Sequence, residues 1–209
     1  VETEVTKDVV IKDSTYEELL QYNMGRNFVD LEGNKPYENL TIEQADAMNL
    51  TIMTLEEFLT KYEKYDFKLY LEIKEAGEEA NKTADMVQDL FDESKYSTWR
   101  DRTMIISFTN SVVDYIAENY PKQAVGALGY KIAGQLITTT LGLSSLASVN
   151  YQSLQSQMTN TAGPITINCA TKAMVRAAHR RNQSVTYWTI NEEEKMKQIE
   201  SDRIAKAEE

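Results

Sequence analysis

Two short stretches place charged side chains where strand alternation would otherwise bury apolar ones. In KLYLEIKE, residues 68–75, Leu69, Leu71 and Ile73 share one side of a pleated strand, and Tyr70, Glu72 and Lys74 share the other. In VETEV, residues 1–5, Glu2 and Glu4 share one face and Val1, Thr3 and Val5 the other. Carboxylates and an amine held on strand faces can capture a cation and balance a charged substrate, so these two strands are expected to carry half of an active site. A blander reading stands beside it. Glu72 and Lys74 would then be an exposed pair on an edge strand, worth little energetically, and Glu2 and Glu4 a solvated strand end.

The elements that would hold these residues alternate along the chain. VETEVT reads as a strand and STYEELLQY as a helix with Ser14 as N-cap and Glu17 closing a capping box. A polar, turn-rich excursion occupies residues 23–49. LTIMT reads as a short strand, and TLEEFLTKYEKY as a helix with a Thr54–Glu57 box. FKLYLEIKE is a strand, followed by the helix EEANKTADMVQDLFDES with Met86, Leu90 and Phe91 at helical spacing. Then come strand TMIISFT, helix NSVVDYIAENY, short strand QAVGAL, strand LASVNY, helix TKAMVRAAHRRN and strand SVTYWTI. A last helix is capped by Asn191, with three glutamates in its first turn, where the dipole favours them. Repeated strand–helix alternation implies parallel strands with crossover helices. A doubly wound sheet and a (β/α)8 TIM barrel both fit. No Gly-rich phosphate loop follows a strand, and polar residues sit at the ends or faces of several strands (Glu2, Glu4, Glu72, Lys74, Ser107, Asn150, Trp188), which favours the barrel. One domain spanning 1–209 is expected.

The chain has 209 residues, 42% hydrophobic and 26% charged, with a formal net charge of −11. That suits one sizeable core. It argues against a nucleic-acid partner and against simple electrostatic docking on anionic membranes. A phosphodiester remains accessible to an acidic protein if a cation mediates the contact. Cys169 is the single cysteine, so neither an intrachain disulfide nor a cysteine metal cluster is possible, and it reads as a small buried hydrophobe. The apolar run 124–149 is broken by Lys131, glycines, threonines and serines and is not read as membrane-spanning. The chain opens inside an expected strand, so a preceding segment is expected. Compartment and oligomeric state stay open.

Set side by side, these stretches resemble the glycerophosphodiester phosphodiesterase family. VETEVTKD is similar to that family's E-x-D-V-x-x-T-K-D-G, LTIMTLEEFL to I-P-T-L-E-E-x-L, and LYLEIKE to I-E-I-K. MIISFTNSVVDYI resembles its strand ending in S-F, QAVGAL its V-G-L-L strand, and AAHRRNQSVTYWTIN its A-H-x-x-G-x-x-V-x-x-W-T-V-N. The matches keep the family's order over nearly the whole chain. The resemblance implies a (β/α)8 barrel that hydrolyses glycerophosphodiesters to glycerol 3-phosphate and an alcohol. It implies that Glu2, Glu4 and Glu72 are metal ligands, that Lys74 contacts the substrate phosphate, and that Trp188 and Phe108 line the pocket. Three converging carboxylates need a cation between them, and hard oxygen ligands suit Mg²⁺ or Ca²⁺. Glu4 stands where the family has Asp, and Trp188 has core packing as its alternative role.

Two family motifs are not in the sequence. The H-R-G of the first strand and the H-D that follows T-K-D-G supply the family's acid–base histidines. Here TKD runs directly into VVIKDSTYEELLQY, so a block is expected to be missing at the Asp8–Val9 junction. A barrel of this kind takes about 250 residues. Either these segments belong to the protein beyond this sequence, or the chain is a true deletion that binds a phosphodiester or polyol phosphate without cleaving it. The first is favoured, because a barrel without its first strand leaves unpaired edges. His179, the single histidine, lies within a helix and reads as a surface residue.

Overall fold

The computed structural model describes residues 9–162 and 165–204. The chain divides into two compact units, Val1–Lys64 and Tyr65–Glu209.

In the first unit, threonines open the described α-helices α1 (Tyr16–Leu19), α2 (Ile42–Ala47) and α3 (Leu55–Tyr62). Thr15, Thr41 and Thr54 each accept the N–H three residues on, and Glu18, Gln44 and Glu57 reach back to the cap's own N–H. The sequence offers two overlapping frames for α1, and the expected Ser14 cap is corrected to Thr15. The Glu18 carboxylate takes the Thr15 N–H at 2.8 Å, while the Ser14 hydroxyl donates to the Val10 carbonyl at 3.0 Å. The expected strand LTIMT is not formed. The Leu50 N–H closes the end of α2 on Ala45 at 2.8 Å, and its carbonyl accepts the Met24 N–H at 2.7 Å, so no ladder starts there. The polar excursion is turned by Asn23, bonded to Gly25 and Tyr37, and by Asp30. The Asp30 carboxylate takes N–H groups from Asn34 and Glu32, which hold it below the usual carboxylate range.

In the second unit, five parallel strands pair in the order β1 (Leu69–Glu72), β2 (Thr103–Ser107), β3 (Ala124–Ala127), β4 (Ser153–Ser156), β7 (Ser184–Tyr187). A separate antiparallel hairpin, β5 (Thr159–Ala162) with β6 (Ile165–Asn168), leaves the sheet just after β4. The described α-helices of this unit are α4 (Gly77–Asp92), α5 (Ser97–Arg102), α6 (Asn110–Asn119), α7 (Ala133–Thr140), α8 (Lys172–His179) and α9 (Glu193–Ile204). The core between helices and sheet holds Phe91, Trp99, Ile105, Val112, Ile116, Leu154 and Met174. Trp99 is fully buried, with the Arg102 guanidinium 3.9 Å above its ring.

Three expectations change here. On α4 the buried stripe is Ala80, Ala84, Val87 and Phe91, whereas Met86 faces solvent, because small alanines let the helix approach the sheet. LASVNY is not a strand. Leu146 closes a 3₁₀ turn, Ser144–Leu146, residues 147–151 are irregular chain, and the fourth strand falls on SLQS instead. The last helix begins at Glu193, with the Met196 N–H on the Glu192 carbonyl at 3.1 Å, so Asn191 lies one residue outside the cap.

Candidate active-site wall

Parallel pairing brings all five strand C-termini to one end of the sheet. The registers Glu72↔Ile106, Ile106↔Gly126, Gly126↔Ser153 and Gln155↔Thr186 carry one face across all five strands. Tyr70, Glu72, Ile106, Phe108, Gly126, Ser153, Gln155, Thr186 and Trp188 share that face by alternation. The hydroxyls of Tyr70 on the first strand and Thr186 on the last are hydrogen-bonded at 3.1 Å. Side chains from the two outer strands therefore meet across this face, and the sheet is rolled into a partial barrel. Gly126 is needed inside the curve. A Cβ there would stand 2.9 Å from Ile106 Cγ2 and 3.2 Å from Ser153 Cβ.

At the C-terminal mouth, Phe108 and Trp188 meet edge to face, with ring centroids 5.5 Å apart and planes at 81°. Phe108 is half exposed, so the pair forms a rim rather than a core contact. Glu72 is partly buried at the end of β1. The Ile73 N–H continues the ladder to the Ile106 carbonyl at 2.9 Å, and Ile73 itself is buried on the helix side. Continued alternation gives Lys74 the same side as Glu72, and it is exposed. Neither Glu72 nor Lys74 has a hydrogen-bond or ion-pair partner among the described residues. Glu2 and Glu4 lie outside the described residues.

Two of the expected mouth residues are elsewhere. The Ser107 hydroxyl is buried on the helix side, donating to the Ile73 carbonyl at 2.8 Å and accepting the Thr109 N–H at 3.1 Å. It locks the β1 and β2 ends together. Asn150 precedes β4 at the opposite end of the sheet, where its amide donates to Asp114 at 2.6 Å. His179 is exposed at the end of α8. Cys169 is buried, accepting an Asn160 N–H at 3.1 Å.

The inner wall also holds polar groups that the sequence reading did not single out. Tyr70, Ser153, Gln155 and Thr186 all face inward, and Ser153 Oγ, Gln155 Nε2 and Trp188 Nε1 are buried without a hydrogen-bond partner among the described residues. The alternation in SLQSQ, with Ser153, Gln155 and Gln157 on one side, is the signal that could have found them. Unpartnered buried donors on a concave wall suit a polar ligand or ordered water.

Of the three carboxylates expected to hold a cation, Glu72 alone is among the described residues. Glu72 offers a hard oxygen with no competing partner, although no three His, Cys, Asp or Glu side chains converge among the described residues. No helix among the described residues is long and apolar enough to cross a membrane.

Comparison with known proteins extends the reading past single motifs. A search of curated proteins finds no relative. Among solved structures, the chain is similar to the crystal structure of a glycerophosphodiester phosphodiesterase from Parabacteroides distasonis ATCC 8503, with a TM-score of 0.53 at 18% identity. The match covers 88% of this chain and 62% of that one, so this chain spans less than two thirds of that protein's length. The family model described as the glycerophosphoryl diester phosphodiesterase family matches residues 1–203. Nearly the whole chain is matched, and it therefore belongs to the glycerophosphoryl diester phosphodiesterase family.

Proposed function

We propose that this chain supplies the metal- and phosphate-binding wall of a (β/α)8 barrel, a single domain over 1–209, that hydrolyses glycerophosphodiesters to glycerol 3-phosphate and an alcohol. The observation that carries this is the mouth itself. It sets an unpaired inward carboxylate, Glu72, at the same strand ends as the Phe108–Trp188 rim. Glu72 would hold Mg²⁺ or Ca²⁺ together with Glu2 and Glu4. Such an ion supplies Lewis acidity toward a phosphoryl oxygen and lowers the pKa of a bound hydroxyl or water. Lys74 would take a non-bridging phosphate oxygen and offset the charge that grows there in the transition state. The aromatic edges of Phe108 and Trp188 would pack against the glycerol carbons and exclude water. The inward hydroxyls and amides of Tyr70, Ser153 and Gln155 give the polar end of the substrate hydrogen-bonding partners.

Proton transfer needs groups this sequence does not hold. His179 is the single histidine, exposed at the C-terminal end of α8 before the turn into β7. Hydrolysis then belongs to a protein that also carries the family's two histidine segments. That same observation favours a second reading, in which the chain as written binds a phosphodiester without turnover. Hydrolysis of glycerophosphocholine by the purified protein, with Mg²⁺ or Ca²⁺ and after chelation, tests the first reading. It is run beside the intact mass, read against the 23.9 kDa of this sequence. Metal-dependent turnover that Glu72→Ala abolishes supports hydrolysis. Calorimetric binding without turnover, at the mass of this sequence, supports the second reading. Full activity in Glu72→Ala would refute the site.

A further inference from the structure

The net charge of −11 hides a sharp division. Residues 119–191 contain none of the chain's 33 Asp and Glu but six of its 22 Lys and Arg, so the remainder, sixteen bases against 33 acids, carries −17. Between Lys131 and Lys172 there is no charged residue at all. In a chain that is 26% charged, such a run points to a surface shaped for something other than water.

The structure shows what that run presents. Ile137 and Leu141 lie one turn apart on α7 and are 49% and 66% exposed; Leu143 and Leu146 follow at 49% and 71%. Gly142, at φ +75°, ends the helix and turns the chain, and the Leu143 N–H closes on the Thr138 carbonyl at 2.7 Å. The four aliphatic side chains are thus held on ordered backbone. They are separated only by Gly, Ser and Thr. The ridge is tied to the basic helix α8: the Arg181 guanidinium donates to the carbonyls of Ser144 and Ala147, and Arg180 reaches the Ser144 hydroxyl at 3.5 Å. Lys172, Arg176 and Arg180, all exposed, run along α8 at four-residue intervals, with His179 beside them. The ridge leads into β4, and Arg180 and Arg181 lead into β7. Both connections enter the N-terminal strand ends, opposite the Phe108–Trp188 mouth.

We propose that this end of the barrel docks on an anionic lipid bilayer. Ile137, Leu141, Leu143 and Leu146 would enter the boundary between headgroups and acyl chains. Arg180, with Arg176 one turn further along α8, would lie at headgroup level against anionic lipid, their stems snorkelling along the apolar layer. A bilayer is favoured over a protein partner by the makeup of the ridge. Residues 132–150 contain no aromatic side chain, whereas protein interface cores are enriched in Tyr, Trp and Phe. The proposal departs from the expectation drawn from net charge, because local charge governs docking within a Debye length. The proposal does not depend on how the mouth is read.

The test is flotation of the full chain with phosphatidylcholine vesicles containing phosphatidylglycerol, beside vesicles of phosphatidylcholine alone. Binding to the anionic vesicles only, weakened by salt, is expected. The pair Leu141→Ser and Leu146→Ser should reduce the partition constant at least about tenfold, as should Arg176→Gln with Arg180→Gln. All four positions are exposed, so thermal melts should match the parent. Failure to float with anionic vesicles at low salt would overturn the proposal, as would binding that both variants leave unchanged. A concentration-dependent dimer abolished by Leu141→Ser, without vesicle binding, would assign the ridge to a second copy instead.

Discussion

Glu72 is the one acidic side chain that strand alternation turns inward among the described strands, and its carboxylate has no partner there. On the hydrolase reading, Glu72→Gln keeps the size of the side chain and removes the charge, so metal-dependent turnover should disappear in a phosphate-release assay. Lys74→Met should leave metal binding intact and lower kcat about a hundredfold, the scale of losing one group that stabilises transition-state charge. Equal losses of metal affinity in both variants would place Lys74 in the metal shell and refute its assignment to phosphate. Asp114 gives a different residue-scale test. Its carboxylate is held below the usual range, first by the hydrogen bond from Lys131 and also by the Asn150 amide. A lowered folded-state pKa contributes stability above the unfolded carboxylate pKa, and that contribution is lost as pH falls through the folded value. Thermal melts should therefore show Asp114→Asn less stable than the parent at neutral pH, with the gap closing in acid below the folded value. A gap independent of pH would remove the charge from the explanation.

Elements decide how well those residues are held. Gly126 faces inward between β2 and β4, and a methyl group there meets Ile106 at 2.9 Å and Ser153 at 3.2 Å. Gly126→Ala should cost about 1–3 kcal/mol in urea unfolding, the usual penalty for overpacking. Thr54→Ala removes the cap of α3 and should cost about 1 kcal/mol. The helices and strands flanking Glu72, Phe108 and Trp188 were legible in the sequence, because their apolar residues keep clean periods of two or of three and four. The same logic failed over residues 133–168. There α7, the strand SLQS and the β5–β6 hairpin are built largely from Gln, Ser, Thr and Asn, whose burial rests on hydrogen bonds that no hydropathy pattern displays. Gln135, Gln183 and Tyr151 form one such buried set, with Gln135 donating to Gln183 at 2.7 Å and Tyr151 to Gln135 at 2.7 Å. Ser107 and Asn150 were misplaced for a related reason. A polar residue near a strand end can as well secure the backbone as face a ligand, and only its hydrogen bonds distinguish the two.

At the scale of the whole molecule, the metal and the fold share one equilibrium. A ligand that binds only the folded chain stabilises it by RT ln(1 + [L]/Kd), about 2.7 kcal/mol at a hundredfold excess over Kd. If Glu72, Glu2 and Glu4 share a cation, then Mg²⁺ or Ca²⁺ should raise the melting temperature with a logarithmic dependence on concentration. Glu72→Gln should remove that dependence, and without metal it should be no less stable than the parent, since it relieves repulsion among the three acids. The sign of that second effect is the sharper test. A carboxylate serving only as a surface partner would show no metal dependence and no gain on neutralisation. The outcome also separates the two functional readings from a purely structural barrel, because binding and catalysis both need the ion whereas packing does not. A melting temperature insensitive to both ions would dismiss the metal site, and with it the hydrolase and the phosphodiester-binding readings together.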